Sequence, residues 1–103
     1  MKYEVIVSDK ADEQLRDIVF YIADSAGSAD VALKYLGKIE SSIDKLADFS
    51  YIGCVPRYSV LKKQGYRVLI VEKHLVFYKV DEEKHTVIVY AVVDGRREYQ
   101  RML

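Results

Sequence analysis

The chain switches between two periods of hydrophobic placement. Tyr3-Glu4-Val5-Ile6-Val7 is a short β-rich run with apolar residues at most positions. Runs that are apolar on both faces belong inside a sheet, so an interior first strand is expected. The period then lengthens. Ala11, Leu15, Ile18, Val19 and Ile22 recur at helical spacing and define one buried stripe. Ser8 or Asp9 is placed to cap this helix, and Asp12 adds negative charge to its first turn. Gly27 stops it, and Ser28 or Asp30 starts a second helix whose stripe is Ala32, Tyr35, Leu36, Ile39, Ile43 and Leu46. Two helices of similar length joined by so few residues make an antiparallel hairpin.

Residues 49–64 contain the only proline, Pro56, with Gly53 and several polar residues, and read as a loop. Three strands follow at hairpin spacing. Residues 66–71 turn through Glu72-Lys73-His74 into 75–80, which turn through Asp81-Glu82-Glu83-Lys84 into 86–93. Connections this short make the three an antiparallel meander. The element order is β-α-α-β-β-β. It predicts a single α+β domain over residues 1–103, with two layers: an antiparallel helical hairpin packed on one face of a four-stranded, mainly antiparallel sheet. The opposite sheet face is expected to stay partly open and to carry function.

Composition adds little to the fold but narrows the function. With 103 residues, half of them apolar and 31% charged, the chain suits one soluble globular domain. A lone cysteine, Cys54, excludes an internal disulfide and fits a reducing cytosol. In its Gly-Cys-Val-Pro setting it reads as a small, semi-buried residue rather than a nucleophile. No apolar run approaches the ~18 residues of a membrane span. His74 and His85 both fall at turns with no Cys or His at ligand spacing, so no metal site is expected. No glycine-rich phosphate loop or nucleophile elbow appears, and no cofactor is implied.

The net charge of zero conceals a division. Residues 1–48 hold 10 acids against 6 bases, or −4; residues 49–103 hold 6 acids against 10 bases, or +4. The basic half places Arg57, Lys62 and Lys63 in the loop, Arg67 on the following strand, and Arg96, Arg97 and Arg101 after the last strand, with Tyr99 among them. In a meander, the start of the first strand and the end of the third lie at one level. These groups therefore have the chance to converge near Tyr66 or Tyr90. Arginine forks fit phosphate oxygens, and tyrosine rings offer stacking surfaces. The alternative is that the end of the chain packs through Met102 and Leu103 and leaves its arginines in water. Of the nine tyrosines, Tyr3 and Tyr35 are expected in the core with their hydroxyls at its rim. Tyr51, Tyr58 and Tyr99 are expected at exposed positions.

Several of these pieces, in this order, resemble the RelE/ParE superfamily of bacterial and archaeal toxins from type II toxin–antitoxin modules. The pieces are Ser8-x-x-Ala11-x-x-x-Leu15-x-x-Ile18, Tyr21-Ile22, Ala32-x-x-Tyr35 with Ile39, Ile43 and Leu46, Gly65-Tyr66-Arg67-Val68, residues 75–81, and Gly95-Arg96-Arg97. The resemblance implies a cytoplasmic toxin, of the kind found in plasmid-stabilisation modules, neutralised by a cognate antitoxin in a hetero-oligomer. That antitoxin is expected to be a short acidic chain that folds on binding. Two activities occur on this fold. RelE-like members are metal-free ribonucleases that cut messenger RNA in the ribosomal A site. By that pattern Arg67 matches a second-strand base, Arg96 matches the arginine after the last strand, and Tyr99 lies near the C-terminal aromatic; Leu69 and Leu75 stand where further basic residues would be. ParE-like members stall DNA gyrase by binding and need no catalytic set. The hairpin motifs Asp17-Ile18-x-x-Tyr21-Ile22 and Ala32-x-x-Tyr35 are similar to theirs, which would give Arg67, Arg96, Arg97, Tyr99 and Arg101 a target-binding role. The ParE-like reading is preferred; the alternatives are a messenger-RNA endonuclease and an inactive member that acts as an antitoxin sink.

Overall fold

The computed structural model describes residues 2–95. Along the chain run β1 (Glu4–Val7), α1 (Asp9–Ala26), α2 (Ala29–Asp44), a 3₁₀ turn (Lys45–Ala47), α3 (Ser59–Lys63), β2 (Arg67–Val71), β3 (His74–Asp81) and β4 (Thr86–Asp94). The expected two-layer α+β architecture is present. The sheet order is β1-β4-β3-β2, with β1 parallel to β4 and the other pairs antiparallel.

Both helices begin as their sequences direct. Ser8 accepts the Ala11 N–H and Ser28 accepts the Val31 N–H, each three residues on, which satisfies a donor the helix cannot. Gly27 closes α1 at φ 65°, a left-handed conformation that glycine adopts without a Cβ penalty, and its N–H bonds the Ala23 carbonyl. The stripes meet the sheet in one core. Ala11, Leu15, Ile39, Ile43 and Leu46 pack there on Val76, Tyr78, Val87, Val89 and Val92.

Four expectations need correction. First, β1 is an edge strand and not an interior one. Its apolar residues lie at the rim, Ile6 41% and Val7 37% exposed, because β4 and β3 take the two central places. Second, residues 59–63 of the expected loop form α3. With Leu61 buried, this helix covers part of the far sheet face, where Val68, Phe77, Ala91 and Val93 make a second cluster flanked by Tyr58, Tyr66 and Leu75. That face is therefore half closed, and Tyr58 is half-buried. Third, Cys54 is exposed rather than semi-buried. Its backbone pairs with Val68, both N···O distances being 2.8 Å, and covers the outer edge of β2 there. Fourth, His74 is the first residue of β3 and not part of the turn.

The longest strand is not a plain alternation. Phe77 faces Ala91 but Tyr78 faces Val89, so Tyr90 is an extra residue, a β-bulge. Val87 and Val89 face the helices before it; beyond it Val92 takes that side, and Ala91 and Val93 point to the far cluster. Bulges leave backbone groups without ladder partners, and α1 and its cap supply them. The Ser8 hydroxyl donates to the Tyr90 carbonyl at 3.2 Å, and the Val92 N–H donates to the Gln14 side-chain oxygen at 2.8 Å.

Candidate functional site

Residues 49–56 cross from the helix side of the sheet around the edge of β2 and are tied at Ser50, Tyr51, Gly53 and Cys54. The Ser50 hydroxyl donates to the Leu46 carbonyl at 2.9 Å. The Gly53 N–H donates to the hydroxyl of Tyr78, a fully buried side chain, at 2.9 Å. A Cβ at Gly53 would stand 2.6 Å from the Val68 carbonyl and 2.7 Å from the Tyr78 hydroxyl, so the chain passes where only glycine fits. One guanidinium nitrogen of Arg67 donates to the carbonyls of Tyr51 at 2.9 Å and Gly53 at 2.6 Å, and the group lies 5.2 Å from the centre of the Tyr51 ring.

A carboxylate fastens the middle of this segment from the other side. Glu82, in the β3–β4 turn, accepts the Tyr51 hydroxyl and also the Tyr3 hydroxyl, the latter at 2.8 and 2.9 Å. Hydrogen bonding to the ionised form drives the Glu82 carboxyl below its ordinary range, with Tyr51 the larger cause. The same contact pushes Tyr51 up to about 12, and the bond to Glu82 raises Tyr3 as well. The His85 ring stacks on Tyr3 with ring centres 3.8 Å apart. The outcome is a fixed segment whose side chains Phe49, Tyr51, Ile52 and Val55 are 62, 52, 55 and 52% exposed.

A groove of about 1250 Å³ lies where the hairpin stands over the β2–β3 turn and the end of β4. Ile18, Tyr21, Ile22 and Val31 form its apolar wall, and its charged lining mixes Lys34, Lys38 and Lys73 with Asp17, Glu72 and Asp94. The Tyr35 hydroxyl and the His74 Nδ1 are 2.6 Å apart at its edge, and burial raises the Tyr35 hydroxyl. On the far sheet face, the bulge aims Tyr90 at Tyr66, ring edge to ring face at 5.6 Å. The Lys79 ammonium sits 4.5 Å from the Tyr66 ring centre and 5.3 Å from that of Tyr90. Burial raises the Tyr66 hydroxyl, and Tyr90 adds to the effect.

The sequence candidates fare unequally. Arg67 faces the helix side, opposite to its strand neighbours Tyr66 and Val68 in the far cluster, but one of its guanidinium nitrogens is committed to two carbonyls. Arg57, Lys62 and Lys63 are exposed, the lysines at the end of α3 and Arg57 at 5.3 Å over Tyr58. Leu69 packs beside the main core and Leu75 beside the second cluster. Arg96, Arg97, Tyr99 and Arg101 lie outside the described residues. Lys79 and the Tyr51–Glu82 contact were missed: strand alternation from Leu75 places Lys79 on the far face, whereas nothing local announces the bulge or a contact spanning 31 residues. Among the described residues, no three His, Cys, Asp or Glu side chains are grouped to hold a metal ion, and no helix is long and apolar enough to cross a membrane.

The fold is one seen in toxin–antitoxin systems. A chain in the chromosomal ParDE toxin–antitoxin system of P. aeruginosa superposes with a TM-score of 0.75 at 18% identity, covering 90% of this chain and 96% of that one. A chain of the RelBE2 toxin–antitoxin complex of Mycobacterium tuberculosis superposes with a TM-score of 0.62 at 17% identity, covering 91% and 99%. At such identities the likeness speaks for the fold. No curated protein sequence matches the chain. The family is given by the sequence model for the ParE toxin of the type II toxin–antitoxin system parDE, which matches residues 5–99. The chain belongs to that family and is a ParE/RelE-type toxin of a toxin–antitoxin module.

Proposed function

We propose that this toxin arrests growth by binding DNA gyrase rather than by cutting RNA, and that an acidic cognate antitoxin holds it neutral. The observation that carries the reading is the state of the positions a ribonuclease would need. Leu69 and Leu75 are packing residues, and Arg67 turns one guanidinium nitrogen, Nη2, to the Tyr51 and Gly53 carbonyls. General acid–base chemistry on a phosphate needs convergent ionisable groups, and two of these positions are apolar while the third is turned to backbone carbonyls. Binding needs only a preformed surface. Family membership and the two toxin–antitoxin systems of like fold support the antitoxin.

The cationic cluster of Lys79, Tyr66 and Tyr90 favours a second reading, a ribosome-dependent messenger-RNA endonuclease, because an ammonium flanked by phenol rings suits an RNA strand. The two are separated by measuring gyrase supercoiling beside A-site cleavage in a translation extract. Loss of supercoiling with intact messenger RNA is expected. Specific cuts with undisturbed supercoiling would sink the gyrase reading.

A further inference from the structure

Ser8 bonds two consecutive carbonyls of β4. Its N–H donates to the Val89 carbonyl at 2.9 Å, and its hydroxyl donates to the Tyr90 carbonyl at 3.2 Å. In an unbroken strand successive carbonyls point to opposite sides, so the Tyr90 carbonyl would turn to β3. The bulge turns it back towards the side of β1, which has already ended at Val7. The same hydroxyl oxygen accepts the Ala11 N–H at 3.1 Å as the cap of α1. The Ala11 amide supplies the proton of its own bond, so the hydroxyl proton is left for the carbonyl, which can only accept. One side chain thus serves a helix end and a bulge. The hydrophobic pattern does not secure that bulge. Ala91, Val92 and Val93 are all apolar, so a shift by one residue would still turn an apolar side chain to each face. The bond from the Ser8 hydroxyl, by contrast, exists only with the bulge in place. On the opposite side of the sheet the bulged residue sets its ring against Tyr66 at 5.6 Å, and the Lys79 ammonium lies 4.5 and 5.3 Å from the two ring centres. Lys79 forms no ion pair among the described residues, so the rings are what holds its ammonium.

We propose that Ser8, besides capping α1, is a positioning residue for this far-face cluster: its hydroxyl proton fixes the bulge and thereby places the Tyr90 ring beside Tyr66 and Lys79. This placement is the same whichever target the toxin takes. The ring that the messenger-RNA reading would bring to a nucleic acid is set from the helix side of the sheet.

The test separates the two roles by substitution. Aspartate and asparagine have the same shape and cap helices about as well as serine, but only asparagine has a proton to donate. Ser8→Asp, Ser8→Asn and Ser8→Thr are compared with the wild type by circular dichroism for the helices and by NMR for the cluster. In the wild type the Lys79 ε-methylene protons, held against two ring faces, should resonate upfield of those of exposed lysines, and the Tyr66 and Tyr90 rings should give a cross-peak. Ser8→Asp should keep its helicity and lose both the upfield shift and the cross-peak. Ser8→Asn and Ser8→Thr, which keep cap and donor, should retain both signals. If Ser8→Asp does not fold, Ser8→Ala takes its place, and loss of the same two signals is expected. Unmoved Lys79 and Tyr90 signals in the variant without a donor would overturn the proposal. Equal displacement by aspartate and asparagine would overturn it too, since the position would then respond to size and not to the proton.

Discussion

The hydroxyl of Tyr78 offers the sharpest test of how the surface segment is held. Its ring is fully buried in the main core, and its hydroxyl accepts the Gly53 N–H at 2.9 Å. Tyr78→Phe keeps the ring and removes one acceptor. Gly53 is itself buried, so its N–H is left facing a ring edge instead of an oxygen. A buried donor left unsatisfied costs about 1–3 kcal/mol, more than the bond itself is worth in net terms. Taking about 2 kcal/mol, and roughly 4 °C per kcal/mol for a domain near 100 residues, the melting temperature should fall by about 8 °C. The denaturant slope should not change, because the surface exposed on unfolding is the same. Gly53→Ala is the companion. Its Cβ meets both the Tyr78 hydroxyl and the Val68 carbonyl, so it should destabilise the wild type more than it destabilises the Tyr78→Phe variant, and the losses should not add. Melting by circular dichroism gives the first number, and amide exchange at Gly53 gives its location. A Tyr78→Phe protein melting within about 2 °C of wild type, with Gly53 exchange unchanged, would refute the reasoning.

Four further outcomes are expected. Gln14→Ala removes the acceptor of the Val92 N–H at the bulge and should cost about 1–3 kcal/mol, read by denaturant unfolding; a neutral result would mean that the bulge satisfies itself. Arg67→Lys keeps the charge but loses the planar guanidinium that reaches two carbonyls, and a loss of about 1–2 kcal/mol is expected, whereas a purely electrostatic role would leave stability unchanged. Glu82 and Tyr51 make stability depend on pH at both ends. A carboxyl lowered from 4.5 contributes above that value and loses its contribution as pH falls below it, while a phenol raised from 10 to about 12 contributes below pH 10 and loses it as pH climbs towards 12. Melting curves of Glu82→Gln should therefore lack both limbs, and retention of either would assign it to another group. Arg96→Ala/Arg97→Ala should abolish growth arrest on induction while the protein stays folded, and loss of Tyr99 should weaken target binding by roughly 1–3 kcal/mol; a folded, fully toxic double variant would remove the end of the chain from the site.

What the sequence determined by itself was everything set by local period and local chemistry. The stripes of α1 and α2, the serine caps, the glycine stop and the hairpin spacing of β2 to β4 each depend on residues within a turn or two of one another, so they are legible without neighbours. The edge position of β1 was not legible. An apolar run reads as interior, but which strand lies in the middle is settled by long-range pairing, here the parallel register that sets Glu4 beside Thr86. The short α3 was hidden for a related reason: Leu61 makes it worthwhile by covering the cluster of Val68 and Phe77, and five residues carry no helical period of their own. The site followed the same divide. Side-chain type and facing could be read for Arg67. Its partners, two carbonyls of a segment 14 and 16 residues earlier, could not, and they turn a candidate anion clamp into a fastening for the surface beside it. The bulge at Tyr90 reverses the facing of the strand beyond it by inserting one residue into the alternation, and the bonds from Ser8 and Gln14 that satisfy the groups it frees exist only once the helix is packed on the sheet.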